Sequence, residues 1–233
     1  MLERCTNSFK PTKTWYTDAD KYWNEVPSSV DGMLGGLEMV HSPDVRDSGA
    51  FINKLRSKLA LNFGSKYACD CGAGIGRVTK YFLLEQFDKV DLAEQNTKFL
   101  ETAKASYLKK EIESGAVGDI FAVGLQEFDP PRGRYDTIWC QWVLNHLTNE
   151  DMVAFLRRCA SGLAQDGIIC VKENVSSKGY IVDSSDSSVT RSAIIFEHIF
   201  KEAGLTVVAK QTQTDFPQGL FEVVMWAMLP KDL

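Results

Sequence analysis

The residues best suited to chemistry start with an acid and three glycines at fixed spacing, Asp70-Cys71-Gly72-Ala73-Gly74-Ile75-Gly76, with Arg77 directly after them. Glycines at a strand-to-helix turn let the backbone take positive φ and bring its N–H groups close to a ligand. In an open α/β sheet such a turn is the entry to a nucleotide site. A ribose bound there needs an acceptor at the end of the next strand, about twenty residues on. Glu94 ends that strand and suits both ribose hydroxyls. Asp91, inside it, is expected to face solvent or support a helix cap. Arg77 can hold a carboxylate tail in bidentate fashion; its bland alternative is a surface arginine at the start of a helix. Leu125 and Gln126 follow the third strand, where an adenine edge would sit. Gln141 ends the fourth, in the crevice where open sheets bind ligands. A polar group buried there needs a partner, which the ligand can be.

The spacing narrows the ligand. Dinucleotide dehydrogenases read G-x-G-x-x-G, whereas G-x-G-x-G behind an acid resembles the first motif of S-adenosylmethionine-dependent methyltransferases. A dehydrogenase and a purely structural glycine turn stay open on the turn alone. Four further segments stand out: Val30-Asp31-Gly32-Met33-Leu34-Gly35-Gly36, Trp142 to Leu147 with Asn145 and His146, Lys172-Glu173-Asn174, and the polar stretch from Asp183 to Ser188 with Asp186. A histidine after a strand is commonly structural, and a Ser/Asp run is commonly a solvated loop. Asp129-Pro130-Pro131-Arg132 imitates the D-P-P-Y motif of nucleic-acid amino methyltransferases. It precedes the fourth strand instead of ending it, so a solvent turn is expected.

The elements that must hold these residues alternate strand and helix. The pattern predicts strands over Tyr67–Cys71, Lys89–Ala93, Ile120–Val123, Tyr135–Gln141 and Gly167–Glu173, then two final strands, Leu205–Lys210 and Phe221–Leu229. The short connection at Phe216-Pro217-Gln218-Gly219 favours antiparallel pairing of that last pair. Helices are predicted over Trp15–Trp23, Val45–Leu61, Val78–Glu85, from an Asn96 cap, from a Thr148/Asp151 capping box, and over Ile194–Ala203, closed by Gly204. The fold class is therefore α/β, a mostly parallel seven-stranded Rossmann-like sheet with an antiparallel last strand and helices on both faces. Residues 1–62 are expected to be an N-terminal helical extension, loose over 1–13, and 63–233 the nucleotide-binding unit.

Composition bounds the rest. The chain has 233 residues, is 44% apolar and carries a formal charge of -5, enough for a packed core and unsuited to broad nucleic-acid binding. Six cysteines include no C-x-x-C pair, and there are three histidines, so no metal is expected. Cys69 and Cys71 fall on one strand face and are expected as buried thiols. The first residues lack the apolar core of a signal sequence and no run reaches a membrane span, which leads to the expectation of an intracellular protein.

Beyond the glycine turn, the chain is similar to the eukaryotic protein alpha-N-terminal methyltransferases. The resemblance rests on Tyr22-Trp23, Val30 to Gly36, Asp70 to Arg77, Gly124-Leu125-Gln126, Ile138 to Trp142, His146-Leu147 and Asp186-Ser187-Ser188-Val189 with Arg191. It spans residues 22 to 229. It implies an enzyme that transfers methyl groups from S-adenosylmethionine to the free α-amine of proteins beginning X-Pro-Lys/Arg. A mass of 26.1 kDa leads to the expectation of both nucleus and cytoplasm, and the charge and apolar runs to no direct nucleic-acid or membrane partner. By the same resemblance Gly72, Gly74, Arg77, Glu94, Gln95, Leu125, Gln126 and Gln141 line the cofactor. Trp23, Leu34, Val40, Trp142, Asn174, Asp183, Asp186, Ser188 and Phe221 meet the peptide, and Asp186 and His146 are candidates for the base. Glu94 replaces an aspartate of the family, Phe221 lacks a hydroxyl found there, and Val40 is smaller than its counterpart in some members. A methyltransferase for small molecules or nucleic acid, and a non-catalytic partner subunit, are the alternatives.

Overall fold

The structure, a computed structural model, describes residues 11–57, 59 and 61–231; Cys5 and most of the N-terminal stretch expected to be loose lie outside them. Strands β1 (Tyr67–Cys71), β2 (Lys89–Ala93), β3 (Val117–Phe121), β4 (Tyr135–Gln141), β5 (Leu163–Val175), β8 (Leu205–Thr212) and β9 (Glu222–Pro230) form one seven-stranded sheet in the order β3-β2-β1-β4-β5-β9-β8. The first five pair in parallel, and β9 runs antiparallel to both β5 and β8. Central strands are apolar on both faces because helices cover both. One core layer joins Cys69, Cys71 and Cys140 to Phe155, Leu156, Phe196 and Phe200; the other joins Ala68 and Trp139 to Phe51, Ile52, Leu55 and Phe82. Strand order reverses between β1 and β4, and ligand clefts open at the carboxyl ends of strands at such a reversal.

Three helices precede the sheet: α1 (Trp15–Glu25), α2 (Val30–Met33) and α3 (His41–Ser57). Helix α2 is a single turn, capped by Ser29 Oγ accepting from the Gly32 N–H at 3.0 Å. Only glycine fits at 32, since a Cβ there would lie 2.0 Å from the Pro27 carbonyl oxygen. Gly32→Ala should therefore unseat this turn and lower stability by about 1–3 kcal/mol, read as a shifted urea midpoint with an unchanged slope. The remaining helices are α4 (Leu84–Gln86), α5 (Thr97–Thr102), α6 (Lys109–Glu113), α7 (Asn149–Gly162) and α8 (Ala193–Glu202). Thr79–Leu83 and Ala103–Tyr107 are π-helical. The Asn96 and Thr148 caps form as the sequence predicts, at 3.2 Å to the Phe99 N–H and 3.1 Å to the Asp151 N–H. Gly204 closes α8 at φ 82°.

Several boundaries move. Helix α3 starts four residues earlier than its apolar spacing suggests, and β3 occupies 117–121 instead of 120–123. The stretch 180–191 is a hairpin instead of a long loop: β6 (Tyr180–Asp183) pairs antiparallel with β7 (Ser188–Arg191). Its β-branched residues Ile181, Val182, Val189 and Thr190 carry the strand tendency that the serines between them conceal. No helix of the described residues is long and apolar enough to cross a membrane.

Candidate active site

The glycine turn leaves β1 with Gly72, Gly74 and Gly76 at φ 75°, 56° and 87°. It is a tight seat. A Cβ on Gly72 would stand 2.5 Å from Val143 Cγ2, and one on Gly74 would stand 2.5 Å from Met33 Sδ. Val143 thus walls the turn, and Met33 of α2 covers it. Glu94, at the end of β2, accepts from the Gly74 N–H at 2.8 Å and the Asn96 N–H at 2.7 Å. Burial pushes its carboxyl above the ordinary range while those N–H groups pull it back. Asp91 points elsewhere. It is buried, paired with Arg134 at 3.0 Å, and accepts from the Tyr135 hydroxyl at 2.8 Å, which corrects the expectation of a solvent-facing residue or a helix-capping partner.

Asp70, just ahead of the turn, is buried and accepts from Thr79 N–H at 3.0 Å and Thr79 Oγ1 at 2.6 Å. Burial lifts its pKa from 3.8 to about 6, against the pull of those bonds. A raised folded-state pKa means that its stabilising contribution is complete below about 3.8 and is lost as pH rises through about 6. Two pK units correspond to about 3 kcal/mol. Asp70→Asn should flatten that part of the stability profile between pH 4 and 6 in urea titrations.

Arg77 is 3% exposed, so the surface reading fails for it. Its Nη1 donates to Asp44 Oδ2 at 2.7 Å and meets His41 Nδ1 at 3.3 Å; Nε and Nη2 have no partner among the described residues. Gln141 finds its partners within the protein. Its Nε2 donates to Asp44 Oδ1 at 2.7 Å, and its Oε1 accepts from Trp139 Nε1 at 3.0 Å. At the other end of the cleft, the Gln126 amide fills the space a Cβ on Gly124 would take, 2.4 Å away. Arg158 fixes this loop by donating to the carbonyls of Leu125 and Gln126 at 2.9 and 3.0 Å.

Gly72, Gly74, Arg77, Glu94, Gln95, Leu125, Gln126 and Gln141 all line one cavity, and so do Trp23, Trp142 and His146. The cavity has guanidinium donors at one end, a carboxylate midway, and the Leu125/Gln126 edge with Phe99 and Val123 as apolar wall. That donor set fits an amino-acid carboxylate, a ribose and an adenine in turn, the parts of S-adenosylmethionine.

The segment after β4 makes the other wall. Trp142 turns at φ 52°, a conformation that costs about 1–3 kcal/mol and persists only where neighbours enforce it. Glu173 enforces it. Its Oε1 accepts from the Val143 and Leu144 N–H groups at 2.7 Å each, and its Oε2 from Asn145 Nδ2 at 3.0 Å. Burial raises Glu173 to about 7 against these bonds. Arg191 of β7 donates to the Leu147 carbonyl at 2.6 Å and to Asn149 Oδ1 at 2.8 Å, tying the hairpin to the segment.

His146 is held at both nitrogens. Trp23 Nε1–H donates to Nε2 at 3.1 Å, which assigns the proton to Nδ1, which donates to the Ser187 carbonyl at 3.1 Å. Trp15 Nε1 donates to the His146 carbonyl at 2.8 Å. Burial lowers the His146 pKa and the nearby Asp186 carboxylate works against that, so the neutral ring is favoured at pH 7. Asp186 Oδ1 and Trp142 Nε1 are buried without a hydrogen-bond partner among the described residues. Buried orphans of this kind mark positions that a ligand or water completes.

The remaining predicted residues lie outside the cavity lining. Leu34 and Val40 are buried in the segment around α2, and Asn174 is half-buried, its carbonyl 3.4 Å from Asn145 Nδ2. Ser188 starts β7. Asp183 is exposed at the end of β6, its Oδ1 accepting from Ser185 N–H at 2.8 Å and Oγ at 2.6 Å. Phe221 is 45% exposed and stands just before β9, a correction to its placement in the last strand. Asp44, Glu173 and Arg158 were missed as site-building residues. The Lys172-Glu173 pair, charges inside an apolar strand, was a legible signal for Glu173. Asp44, in a polar helix, gave none.

A sequence profile of the family described as AdoMet dependent proline di-methyltransferase matches residues 11–229. An alpha N-terminal protein methyltransferase 1 of Drosophila melanogaster is 46% identical over 221 residues, 94% of this chain and 78% of that one. An N-terminal Xaa-Pro-Lys N-methyltransferase 1 of Xenopus tropicalis is 45% identical over 215 residues, 92% of this chain and 95% of that one. A solved SAM-dependent methyltransferase of Leishmania major superposes with a TM-score of 0.84 at 38% identity, covering 92% of this chain and 82% of that one. Seven-stranded sheet, cofactor cavity and a match across nearly the whole chain agree: this protein is a member of the AdoMet dependent proline di-methyltransferase family.

Proposed function

We propose that the protein methylates the free α-amine of polypeptides beginning X-Pro-Lys or X-Pro-Arg, with S-adenosylmethionine as donor. The observation that carries the reading is the buried, unpartnered Asp186 Oδ1 on the hairpin turn next to His146, a residue that lines the cavity that fits the cofactor; Asp186 itself lies just outside that lining. Bound S-adenosylmethionine supplies an electrophilic methyl group; the chain's own residues prepare the amine. An α-amine has a pKa of about 7.7–8.0, so a fraction is neutral near pH 7, whereas a lysine amine at about 10.4 is almost wholly protonated. Asp186 Oδ1 is the open acceptor for the departing proton. His146, its Nε2 engaged by Trp23, orients the hairpin turn and backs the carboxylate.

Trp142 with Leu34 and Val40 forms the proline slot, and the Trp142 indole N–H or the Asn174 amide meets the first carbonyl. Asp183, Asp186 and Ser188 receive the basic third side chain, and Trp23 and Phe221 flank the entrance. Charge and site chemistry favour this substrate over nucleic acid, and a nuclear and cytoplasmic setting goes with the reading as a proposal. Calorimetry with S-adenosylhomocysteine present tests the reading. A Ser-Pro-Lys peptide should bind at least tenfold more tightly than its Ser-Pro-Glu or N-acetylated forms, and Asp183→Asn should narrow the Lys/Glu difference. Equal affinity for all three peptides would contradict it.

A further inference from the structure

Behind the cofactor cavity lies a buried charge cluster around Asp44. Asp44 of α3 is 1% exposed and sits between two cations, Arg77 Nη1 at 2.7 Å from Oδ2 and Lys172 Nζ at 2.5 Å from Oδ1. Lys172 is fully buried and does not line the cavity. Its ammonium also donates to the Asp44 carbonyl at 3.0 Å and to Ser48 Oγ at 2.9 Å, and both cations lie beside the Trp142 ring, at 5.6 and 6.0 Å from its centre. A further carboxylate on the same helix, Asp47, is engaged by Arg46, Gln213 and Thr214.

The charges do not cancel. Two cations and one anion leave a net positive charge in a dry region, where unbalanced charge is costly. If Asp44 answered to Arg77 alone, the pair would be neutral and an incoming carboxylate would have to compete with Asp44. Lys172 alters that balance by taking up the Asp44 carboxylate from behind. We propose that Lys172 is a positioning residue for cofactor binding: by neutralising Asp44 it leaves Arg77 as the uncompensated cation that receives the amino-acid carboxylate of S-adenosylmethionine. Arg77 lines the cavity, its Nε and Nη2 have no partner among the described residues, and it makes the contact. Lys172 acts through Asp44 without touching the ligand.

The inference rests on Arg77 meeting the cofactor's carboxylate. The test is calorimetric binding of two ligands, S-adenosylhomocysteine and 5′-methylthioadenosine, which keeps the nucleoside and thioether but lacks the amino-acid carboxylate. Wild-type protein should prefer S-adenosylhomocysteine; no preference would refute both the Arg77 contact and this inference. Lys172→Met should weaken S-adenosylhomocysteine tenfold or more and leave methylthioadenosine within twofold. A merely structural lysine would weaken both ligands together or neither, and either result, with the wild-type preference intact, overturns this inference alone. Lys172→Met leaves Asp44 with Arg77 as its one ion-pair partner beside the Gln141 amide and can compromise folding, so the double variant Asp44→Asn/Lys172→Met provides an independent arm. It restores one uncompensated Arg77 charge, and S-adenosylhomocysteine affinity should lie within about threefold of wild type. A tenfold loss in the folded double variant, with methylthioadenosine unchanged, would contradict the charge argument.

Discussion

Asp186→Asn should lower kcat on an X-Pro-Lys peptide by roughly a hundredfold or more, the range of a positioned general base, while S-adenosylhomocysteine affinity stays within twofold. The substitution keeps the size of the side chain and replaces an acceptor oxygen with an amide. Asp186 Oδ1 is buried and has no partner among the described residues, so nothing in the protein competes for it. His146 differs: one nitrogen donates to Ser187 and the other accepts from Trp23. His146→Gln should therefore cost less in kcat than Asp186→Asn. The deficit of Asp186→Asn should shrink as pH rises past the α-amine pKa of about 8, because solvent then supplies the neutral amine. Stopped assays from pH 6.5 to 9.5 with the two variants side by side measure both effects. A larger loss for His146→Gln would assign the proton to the histidine instead.

Arg77→Met is the second large effect, and it acts on the cofactor. Removing a charge-assisted, bidentate-capable donor from a buried anion site costs about 1.5–3 kcal/mol of binding, roughly 10- to 100-fold in Kd. Stability should change by less than the binding does, because the lost ion pair with Asp44 is offset by removal of the unbalanced positive charge. Any loss stays below the usual cost of stranding a buried charge because Lys172 still holds Asp44. Calorimetry for the cofactor product and urea unfolding for the protein separate the two consequences. Unchanged affinity would remove Arg77 from the site.

Much of the cofactor half was legible in the sequence because it is local. Gly72, Gly74 and Gly76 announce positive φ, and Glu94 follows at the distance one βαβ crossing imposes. Gln141 ends its strand and Leu125 and Gln126 lie in the loop that follows theirs, so a strand assignment is nearly a site assignment in this fold. What stayed hidden depends on contacts between distant segments. Asp44 looks like one more polar residue on a helix, yet its carboxylate reaches Arg77 and Gln141 across 33 and 97 positions, and carboxylate and carbonyl together reach Lys172 across 128. The grip of Trp23 on His146 crosses 123 positions, and no spacing rule anticipates it. The 180–191 hairpin is obscured because its serine-rich turn dominates the composition while only four β-branched residues, Ile181, Val182, Val189 and Thr190, flank it. Phe221 was misplaced because an aromatic beside β-branched residues imitates a strand start.

The central claim is that one cavity brings the cofactor's methyl group to a protein α-amine. The most direct measurement is mass spectrometry of a Ser-Pro-Lys peptide incubated with the protein and S-adenosylmethionine carrying a deuterated methyl group. Deuterated methyl is expected on the N-terminal nitrogen and none on the lysine side chain, with no product from the N-acetylated peptide. Label on the lysine side chain, or label on the acetylated peptide, would contradict the claim.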